Sequence, residues 1–306
     1  MPSVFITGAT GLIGSVVVRE LLQHGYKISA LARSEASATK LESQGVNVVR
    51  GSIEDTALLK AAASDPSIDG VIHLAFVHDF DQYATSANID VQAIAAFGDA
   101  LKGTRKPLVV SSAVAGLDIK SEDGIARETD LPLANFPRQS ESAALQLKDS
   151  GVTPVSIRLA PTVHAGAEDK GFIRILVNSA IKHQKAVYVE PSTWSAVHVD
   201  DAAALYRLAF EAAIQGRSGV YHGVAEQSIP YKDIAEAIAR KTGTNAALLP
   251  AEEAYPYITF LSQFAPLFRT SSNEYTKSAL GWSPSRIGLL EDIEKHYTAQ
   301  IQEAFA

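Results

Sequence analysis

The feature that most constrains this chain lies at its start, where three glycines separate an apolar run from an amphipathic segment. Residues 4–6 are apolar β-formers closely followed by glycine, which predicts a short buried strand. From Leu12 onwards, apolar residues recur at the spacing of a helix. The turn between them reads G-x-x-G-x-x-G, with Gly8, Gly11 and Gly14 at the fixed positions. Such a turn lets a pyrophosphate approach the backbone and the helix N-terminus, so it indicates a dinucleotide site.

The same stretch resembles a known superfamily. Residues 7–14 read T-G-A-T-G-L-I-G and match every fixed position of the T-G-x-x-G-x-x-G motif of extended short-chain dehydrogenases/reductases. The resemblance implies a cofactor-binding turn, and an ordinary glycine-rich turn between strand and helix is the alternative. The cofactor contacts that it implies are Gly8, Thr10, Gly11, Leu12, Ile13 and Gly14.

Composition excludes several classes of protein. The chain has 306 residues, 46% of them hydrophobic, enough for one large domain or two coupled domains. Its net charge is −7 and it has no basic run, so we do not expect it to bind nucleic acid. It contains no cysteine, which excludes disulfides and thiolate chemistry. Its histidines are scattered without the spacing of a zinc site, so no metal site is predicted.

The sequence also carries no sign of secretion or of membrane insertion. No apolar run approaches the ~18 residues that a membrane span needs. The first predicted strand begins at residue 4, which leaves no room for a signal peptide ahead of it. We therefore expect a cytoplasmic protein that acts on a small molecule.

Strand and helix patterns alternate through the first half of the chain. This alternation predicts an α/β protein with a Rossmann fold, a doubly wound parallel sheet, and a smaller C-terminal α/β region. Residues 1–159 are expected to bind the dinucleotide and residues 160–306 mainly the substrate, with segments such as 195–222 returning to the Rossmann core. The predicted strands are 28–31, 46–49, 71–75, 108–111, 155–159 and 186–189, and the predicted helices are 36–43, 56–63, 89–101, 140–149, 171–184 and 231–242.

Ligands of such sheets bind beyond the carboxyl ends of the strands, so the residues after each strand are informative. After the second strand stand Arg33 and Ser34, where an enzyme that uses NAD would have an acidic residue for the ribose hydroxyl. An arginine suits a 2′-phosphate instead. We predict NADP(H) as cofactor, with Arg33 and Ser34 binding the phosphate; an exposed surface arginine is the alternative.

Other strand ends resemble cofactor-lining segments of the superfamily. The resemblance implies contacts from Ser52, Ile53, Leu74, Ala75, Phe76 and Pro161, although Ser52 stands where the family usually has aspartate. Asp55 is predicted to cap the next helix, and either Asp200 or Asp201 to cap a later one. His73 and His198 are predicted to be structural hydrogen-bonding residues.

The end of the fifth strand resembles the family's S-S-x-x-x-G segment, in which a hydroxyl group hydrogen-bonds the reacting oxygen. Counting back from Gly116 gives Ser111 that role, as well as a cofactor contact, with Ser112 as its neighbour. A serine pair that caps backbone groups at the strand end is the alternative.

The resemblance fails at the family's catalytic Y-x-x-x-K pair. That pair is expected about twenty-five residues beyond Ser111, where the chain offers Phe136 or Pro137 for the tyrosine and Ser140 or Glu141 for the lysine. No tyrosine of the chain has a lysine four residues later. Because that lysine lowers the pKa of the tyrosine for proton exchange, another proton donor is needed. The candidates are His78, Tyr83 and His164, or water.

Two further stretches bear on assembly and substrate. Residues 247–269 form a loop rich in aromatic and aliphatic residues that is either core or a lid over an apolar substrate. The predicted helix 89–101 has more apolar positions than one buried stripe requires, and related enzymes often dimerise through it and helix 140–149. We therefore predict a homodimer.

Three functions are compatible with these features. The leading hypothesis is an NADP(H)-dependent oxidoreductase of the extended, tyrosine-lacking type, acting on a small to medium carbonyl, alcohol or activated alkene. The missing Tyr–Lys pair favours the second, a non-redox isomerase, lyase or cyclase with a structural or internally cycling dinucleotide. The third is a regulator that senses NADP(H) without catalysis.

Overall fold

The computed structural model describes residues 1–77, 79 and 82–302, which form strands and helices in alternation. The strands are β1 (Ser3–Thr7), β2 (Lys27–Ala32), β3 (Asn47–Arg50), β4 (Gly70–His73), β5 (Pro107–Ala113), β6 (Leu117–Asp118), β7 (Leu131–Pro132), β8 (Thr153–Leu159), β9 (Thr162–His164), β10 (Lys185–Tyr188), β11 (Thr193–His198), β12 (Gly219–Gly223), β13 (Glu226–Pro230) and β14 (Asn245–Leu248). The helices are α1 (Leu12–Gln23), α2 (Glu35–Glu42), α3 (Thr56–Ala63), α4 (Tyr83–Leu101), α5 (Ser140–Gln146), α6 (Phe172–His183), α7 (Val199–Ile214), α8 (Tyr231–Thr242), α9 (Ala251–Ile258), α10 (Leu261–Phe264), α11 (Glu274–Leu280) and α12 (Leu289–His296).

The centre of the fold is a seven-stranded sheet in the order β12-β8-β5-β4-β1-β2-β3. All of its neighbouring strands pair in parallel. The strand order reverses between β1 and β4, which creates a crevice at the carboxyl ends of these two strands. This topology confirms the predicted α/β class and doubly wound sheet.

Helices cover both faces of the sheet because side chains alternate along each strand. In β1, Val4 and Ile6 pack into a cluster with residues of α1, α2 and α7. Phe5 points to the other face and packs with α3, α4 and α5, its ring 6.2 Å from that of Phe97. The near-continuous apolar sequence of β1 is thus explained by burial on both faces.

The second half of the chain contributes to the central sheet and also builds a separate region. Helix α7 packs with α1 against the sheet, and β12 forms its edge beside β8. Strands β9, β11 and β13 form a small sheet, and β10 pairs with β14. Together with α6, α8, α9, α10 and α12, strands β10, β11, β13 and β14 enclose an apolar cluster of their own.

Several predicted boundaries and assignments were wrong. Helix α4 begins at Tyr83 rather than at residue 89, and β4 ends at His73 rather than at residue 75. The predicted loop 247–269 contains α9, α10 and a short 3-10 helix. The cap of α7 is His198, whose ring accepts a hydrogen bond from the backbone N–H of Asp200, and not an aspartate.

The structure removes the sequence-based argument for a homodimer. In α4, Ala93, Ile94, Phe97 and Leu101 are all buried within the chain, and Ile89 packs against the same cluster. The surplus of apolar positions is therefore used internally, so the dimer stays a prediction that light scattering would test. Among the described residues, no helix has the length and apolar character needed to cross a membrane.

Candidate active site

The glycine turn lies at the crevice where the strand order reverses, and two of its glycines are required by packing. Gly8 has a φ of 72°, and a Cβ added to it would lie 2.6 Å from the backbone nitrogen of Ala75. A Cβ on Gly14 would lie 2.0 Å from the carbonyl oxygen of Gly8. These positions confirm the predicted tight turn and the close approach of helix to turn.

Gly11 differs, because the protein itself does not need a glycine there. A Cβ on Gly11 would come no closer than 3.4 Å to the carbonyl oxygen of Gly8. Gly11 is the N-cap of α1, which has no side-chain cap and no acidic residue in its first turn. The N–H groups of this helix end are therefore without a side-chain acceptor and favour an anion.

The residues after β2 present a positive charge to solvent. Arg33 is exposed, and no salt bridge within the described part of the chain involves it. The nearby Glu35 is instead paired with Arg50, at 2.9 Å between Nη2 and Oε1. The Ser34 hydroxyl caps α2 by accepting a hydrogen bond from the N–H of Ser37. Arg33 is thus an exposed cation beyond the carboxyl end of β2.

The other predicted cofactor contacts also lie at strand ends of this edge. Leu74, Ala75 and Phe76 follow β4 directly and are half-buried. Ile53 is buried and Ser52 half-buried after β3, and Pro161 is half-buried after β8. The predicted cap of α3 is confirmed, since the Asp55 carboxylate accepts a hydrogen bond from the N–H of Leu58.

A buried hydrogen-bonded chain joins β1, β4, α4 and α5 beneath this edge. The Nδ1 of His73 lies 2.6 Å from the hydroxyl of Thr7, and its Nε2 lies 3.2 Å from Asp90. The other carboxylate oxygen of Asp90 accepts a hydrogen bond from Ser140. Burial raises the pKa of Asp90, but the hydrogen bond and charge interaction with His73, the positive charge of Arg138 and the hydrogen bond from Ser140 together outweigh this, so the pKa is lowered. His73 is structural, as predicted.

The two serines at the end of β5 point in different directions. The Ser111 hydroxyl is buried, 2.7 Å from the hydroxyl of Tyr206 and 3.2 Å from the carbonyl oxygen of His73. Ser112 instead lines a small cleft together with Gly116, Phe136 and Arg138. Sequence spacing selected Ser111, but the serine that lines the cleft is Ser112.

Phe136 and Ser140 are two of the residues that sequence spacing offers at the family's tyrosine and lysine positions, and they have different surroundings. The ring of Phe136 packs so closely on Gly116 that a Cβ there would lie 2.6 Å from it. Four residues later, Ser140 is fully buried and bonded to Asp90. Phe136 therefore lines the cleft, whereas Ser140 belongs to the buried hydrogen-bonded chain.

Arg138 is the residue that sequence reasoning missed. Its guanidinium carbon lies 4.3 Å from the centre of the Phe76 ring. Its Nη2 donates to the carbonyl oxygen of Ser111 at 2.9 Å, and its Nε donates to the Ser140 hydroxyl at 3.0 Å. The only signal in the sequence was a cation between the positions of the missing Tyr and Lys.

Aromatic residues from distant parts of the chain meet beside Arg138. The Tyr83 ring lies 5.7 Å from that of Phe76 and 6.5 Å from that of Phe264 in α10. Residues of the aromatic segment 247–269 therefore reach this edge of the sheet. Burial raises the pKa of Tyr83, although the positive charge of Arg138 opposes this effect. His78, the neighbouring candidate, lies outside the described residues.

His164 belongs to a different set of contacts. It is fully buried, and its Nδ1 lies 2.7 Å from Asp292 in α12. Its Nε2 is buried without a hydrogen-bond partner among the described residues. Its ring also lies 5.2 Å from that of His198. The structure thus joins Tyr83 with the cleft residues but does not bring His164 to them. No group of three or more His, Asp or Glu side chains within the described ranges could hold a metal ion.

The doubly wound sheet, with its glycine turn at the reversal of strand order, defines an extended short-chain dehydrogenase/reductase architecture. Residues 4–222 match the model of the NAD dependent epimerase/dehydratase family. The chain belongs to this family, and a nicotinamide dinucleotide is the corresponding cofactor. Gly8, Gly11 and the uncapped start of α1 fit such a group, because they leave backbone N–H groups open to a phosphate.

Similar proteins are found among fungi and among solved structures. The uncharacterized protein YLL056C of Saccharomyces cerevisiae is 40% identical over 304 residues, which cover 96% of this chain and 99% of the yeast protein. Ketoreductase CTB6 of Cercospora nicotianae is 31% identical over 136 residues, 37% of each chain. The UDP-glucose 4-epimerase of Thermus thermophilus, solved with NAD, shares the fold with a TM-score of 0.73 at 19% identity, covering 95% of this chain and 96% of its own.

Proposed function

We propose that this protein is an NADP(H)-dependent oxidoreductase that interconverts a small to medium carbonyl compound, or an activated alkene, with its reduced form. The observation that carries this proposal is the continuity between the glycine turn and the cleft. Gly8 touches Ala75, the adjacent Phe76 stacks on Arg138, and Arg138 lines the cleft with Ser112. A cofactor held by the turn would therefore reach the donors in the cleft. Ketoreductase CTB6, a partial relative, is named for chemistry of this kind.

The choice of NADP(H) over NAD(H) rests on Arg33. Its guanidinium is exposed and without a carboxylate partner in the described chain, so it is available to a 2′-phosphate. The neighbouring Glu35, which would repel a phosphate, is neutralised in part by Arg50. The Ser34 hydroxyl caps α2 and donates its hydrogen to the Ser37 hydroxyl, so it would exchange that acceptor for a phosphate oxygen when the cofactor binds.

The bound cofactor would supply or accept the hydride, and the side chains of the cleft would orient the substrate and donate the proton. The Ser112 hydroxyl would donate a hydrogen bond to the substrate oxygen, the role that sequence spacing had assigned to Ser111. Tyr83 is the proton donor that the geometry favours among the described candidates. Burial raises its pKa, so it carries its proton at neutral pH, and the positive charge of Arg138 opposes this rise and favours transfer of the proton to the substrate. His78 and water remain the other candidates.

The test of cofactor choice is a fluorescence titration with NADPH and with NADH. A charge-assisted contact from Arg33 predicts a preference for NADPH of roughly ten-fold or more. Arg33→Asp should reverse this preference. Arg105→Asp makes the same change of charge in an exposed residue before β5, at the amino ends of the strands, and should leave it unchanged. Equal affinities of the parent for the two cofactors would disprove the NADP(H) assignment.

One observation favours a second function. Sequence spacing offers Phe136 and Ser140 at the positions of the family's proton-exchanging pair, and the absence of such a pair would suit a non-redox isomerase, lyase or cyclase with a structural or internally cycling dinucleotide. Incubation with NADPH and a panel of carbonyl compounds and activated alkenes distinguishes the two. Oxidation of NADPH in proportion to product supports the reductase. Conversion of a substrate without net change in NADPH supports the second function.

A further inference from the structure

Arg138 faces the cleft and reaches a carboxylate only indirectly, since the Ser140 hydroxyl that accepts from its Nε donates to Asp90. Arg138 is half-buried, and none of the salt bridges between described residues involves it. Arg158 pairs with Glu141 at 2.6 Å and Arg207 with Glu20 at 2.8 Å, whereas the fully buried Arg174 shares with Arg138 the lack of a salt bridge to a described residue. Withdrawing a guanidinium from water is costly unless a counter-charge or hydrogen bonds compensate.

The contacts that Arg138 does make leave part of its guanidinium unused. Of its five N–H groups, one donates to the carbonyl oxygen of Ser111 and one to the hydroxyl of Ser140. The ring of Phe76 covers one face of the guanidinium. These contacts hold the group rigidly at the end of β5, and they leave three N–H groups without a partner among the described residues.

Most residues that line the cleft beside this cation are apolar, and polar and apolar atoms share its exposed surface about equally. Besides Arg138 and Ser112 it is lined by Ala113, Ala115, Gly116, Leu117, Pro132 and Phe136. Leu131 in β7 and Leu133 just after this strand are exposed hydrophobic residues. A cation at one end and apolar walls around it match a ligand that has an anionic group and an apolar body.

We propose that Arg138 binds a carboxylate of the substrate, so that the natural substrate is an apolar oxo acid. Arginine binds carboxylates in a fork of two parallel hydrogen bonds, which its unused N–H groups can supply. The carboxylate would bind the N–H groups of Arg138 that have no partner among the described residues, and Ser112 on the same cleft would be left for the reacting oxygen. This inference specifies the substrate class of the reductase proposed above and rests on that proposal.

The experiment compares an aromatic 2-oxo acid, phenylpyruvate, with its methyl ester as probes. Binding to the protein saturated with NADP⁺ is followed by calorimetry, and turnover with NADPH is measured in parallel. The parent should bind the acid at least ten-fold more tightly than the ester. For Arg138→Met, KM for the acid should rise on the order of 10- to 100-fold with little change in kcat, because binding of a non-reacting group is lost. Arg138→Lys, which keeps the charge but not the fork, should fall between the two.

Controls separate this inference from a structural role and from the reductase proposal. Arg240→Met removes an exposed arginine of α8 that pairs with Glu294, and it should leave binding of the acid unchanged. Because Arg138 also contacts Ser111 and Ser140, its replacement could change the fold. NADPH affinity and melting temperature are therefore measured for each variant, and Arg138→Lys is the variant expected to keep the fold of the parent. Equal binding of acid and ester by the parent would overturn the inference. If NADPH were still oxidised, the reductase proposal would be unaffected by that result. An equal loss of kcat for acid and ester in both variants would also overturn it, because Arg138 would then act on the reacting oxygen. Binding of the acid without any NADPH oxidation would refute the reductase alone.

Discussion

The hydroxyl of Ser111 lies 2.7 Å from the hydroxyl of Tyr206, a fully buried residue of α7. Replacing Ser111 with alanine would leave the Tyr206 hydroxyl without this partner. We expect a loss of about 1–3 kcal/mol in the free energy of unfolding. Ser112→Ala should keep the stability of the parent and lower kcat by about 10²- to 10³-fold, as for the removal of one oxyanion donor. Urea unfolding and steady-state kinetics of both variants check this; the opposite pattern would restore Ser111 as the catalytic serine.

Alanine at Gly14 and at Gly11 should have different effects. At Gly14 the added Cβ would lie 2.0 Å from a backbone oxygen, a clash that no side-chain rotation relieves. This variant should lose more than about 3 kcal/mol or fail to fold. At Gly11 the added Cβ has ordinary room, so the protein should melt near the parent temperature but bind NADPH more weakly. Thermal melts and NADPH titrations provide the comparison, and unchanged NADPH affinity of Gly11→Ala would contradict the role of this turn.

The ion pair between Glu141 and Arg158 should be worth far more to stability than an exposed pair of similar length. Its two side chains are 1% and 3% exposed, with 2.6 Å between Nη2 and Oε1. Glu141→Gln leaves the Arg158 charge buried without a counter-charge, which costs about 3–5 kcal/mol. For Arg240 and Glu294, joined at 2.7 Å but exposed, Arg240→Ala should cost less than about 1 kcal/mol. Chemical denaturation of the two variants measures the difference.

Asp292 should make the anchoring of α12 sensitive to acid. Burial raises its pKa, but hydrogen bonds from His164 and His296 outweigh this and hold the pKa below its ordinary value. A carboxyl group with a lowered pKa in the folded state stabilises the protein above the unfolded-state pKa of about 3.9. This contribution is lost as the pH falls through the folded-state pKa. The advantage of the parent over Asp292→Asn, measured by urea unfolding, should therefore be largest above about pH 5 and shrink below about pH 4. A constant difference down to pH 3 would contradict this assignment.

The sequence alone determined the features that depend on short-range rules. Hydrophobic periodicity and alternation of strands and helices predicted the Rossmann sheet, because a buried parallel sheet needs apolar strands with helices on both faces. Helix caps could also be predicted from the sequence. Asp55 is an example, since the N–H group that it binds is only three residues away. The glycine turn was predictable for the same reason, because Gly8 and Gly14 are only six residues apart and already nearly in contact.

Only the tertiary structure decided which side chains share a site. Ser111 and Ser112 are adjacent in the sequence, and the packing of α7 gave Ser111 its buried partner, 95 residues away. His164 followed a strand as the site residues do, but its partner Asp292 lies 128 residues further along the chain. Arg138 has no sequence signature, because its position follows from Phe76, Ser111 and Ser140, which lie on three different elements or loops. Contacts of this kind depend on how distant elements pack against one another, and a local pattern of residues does not predict this packing.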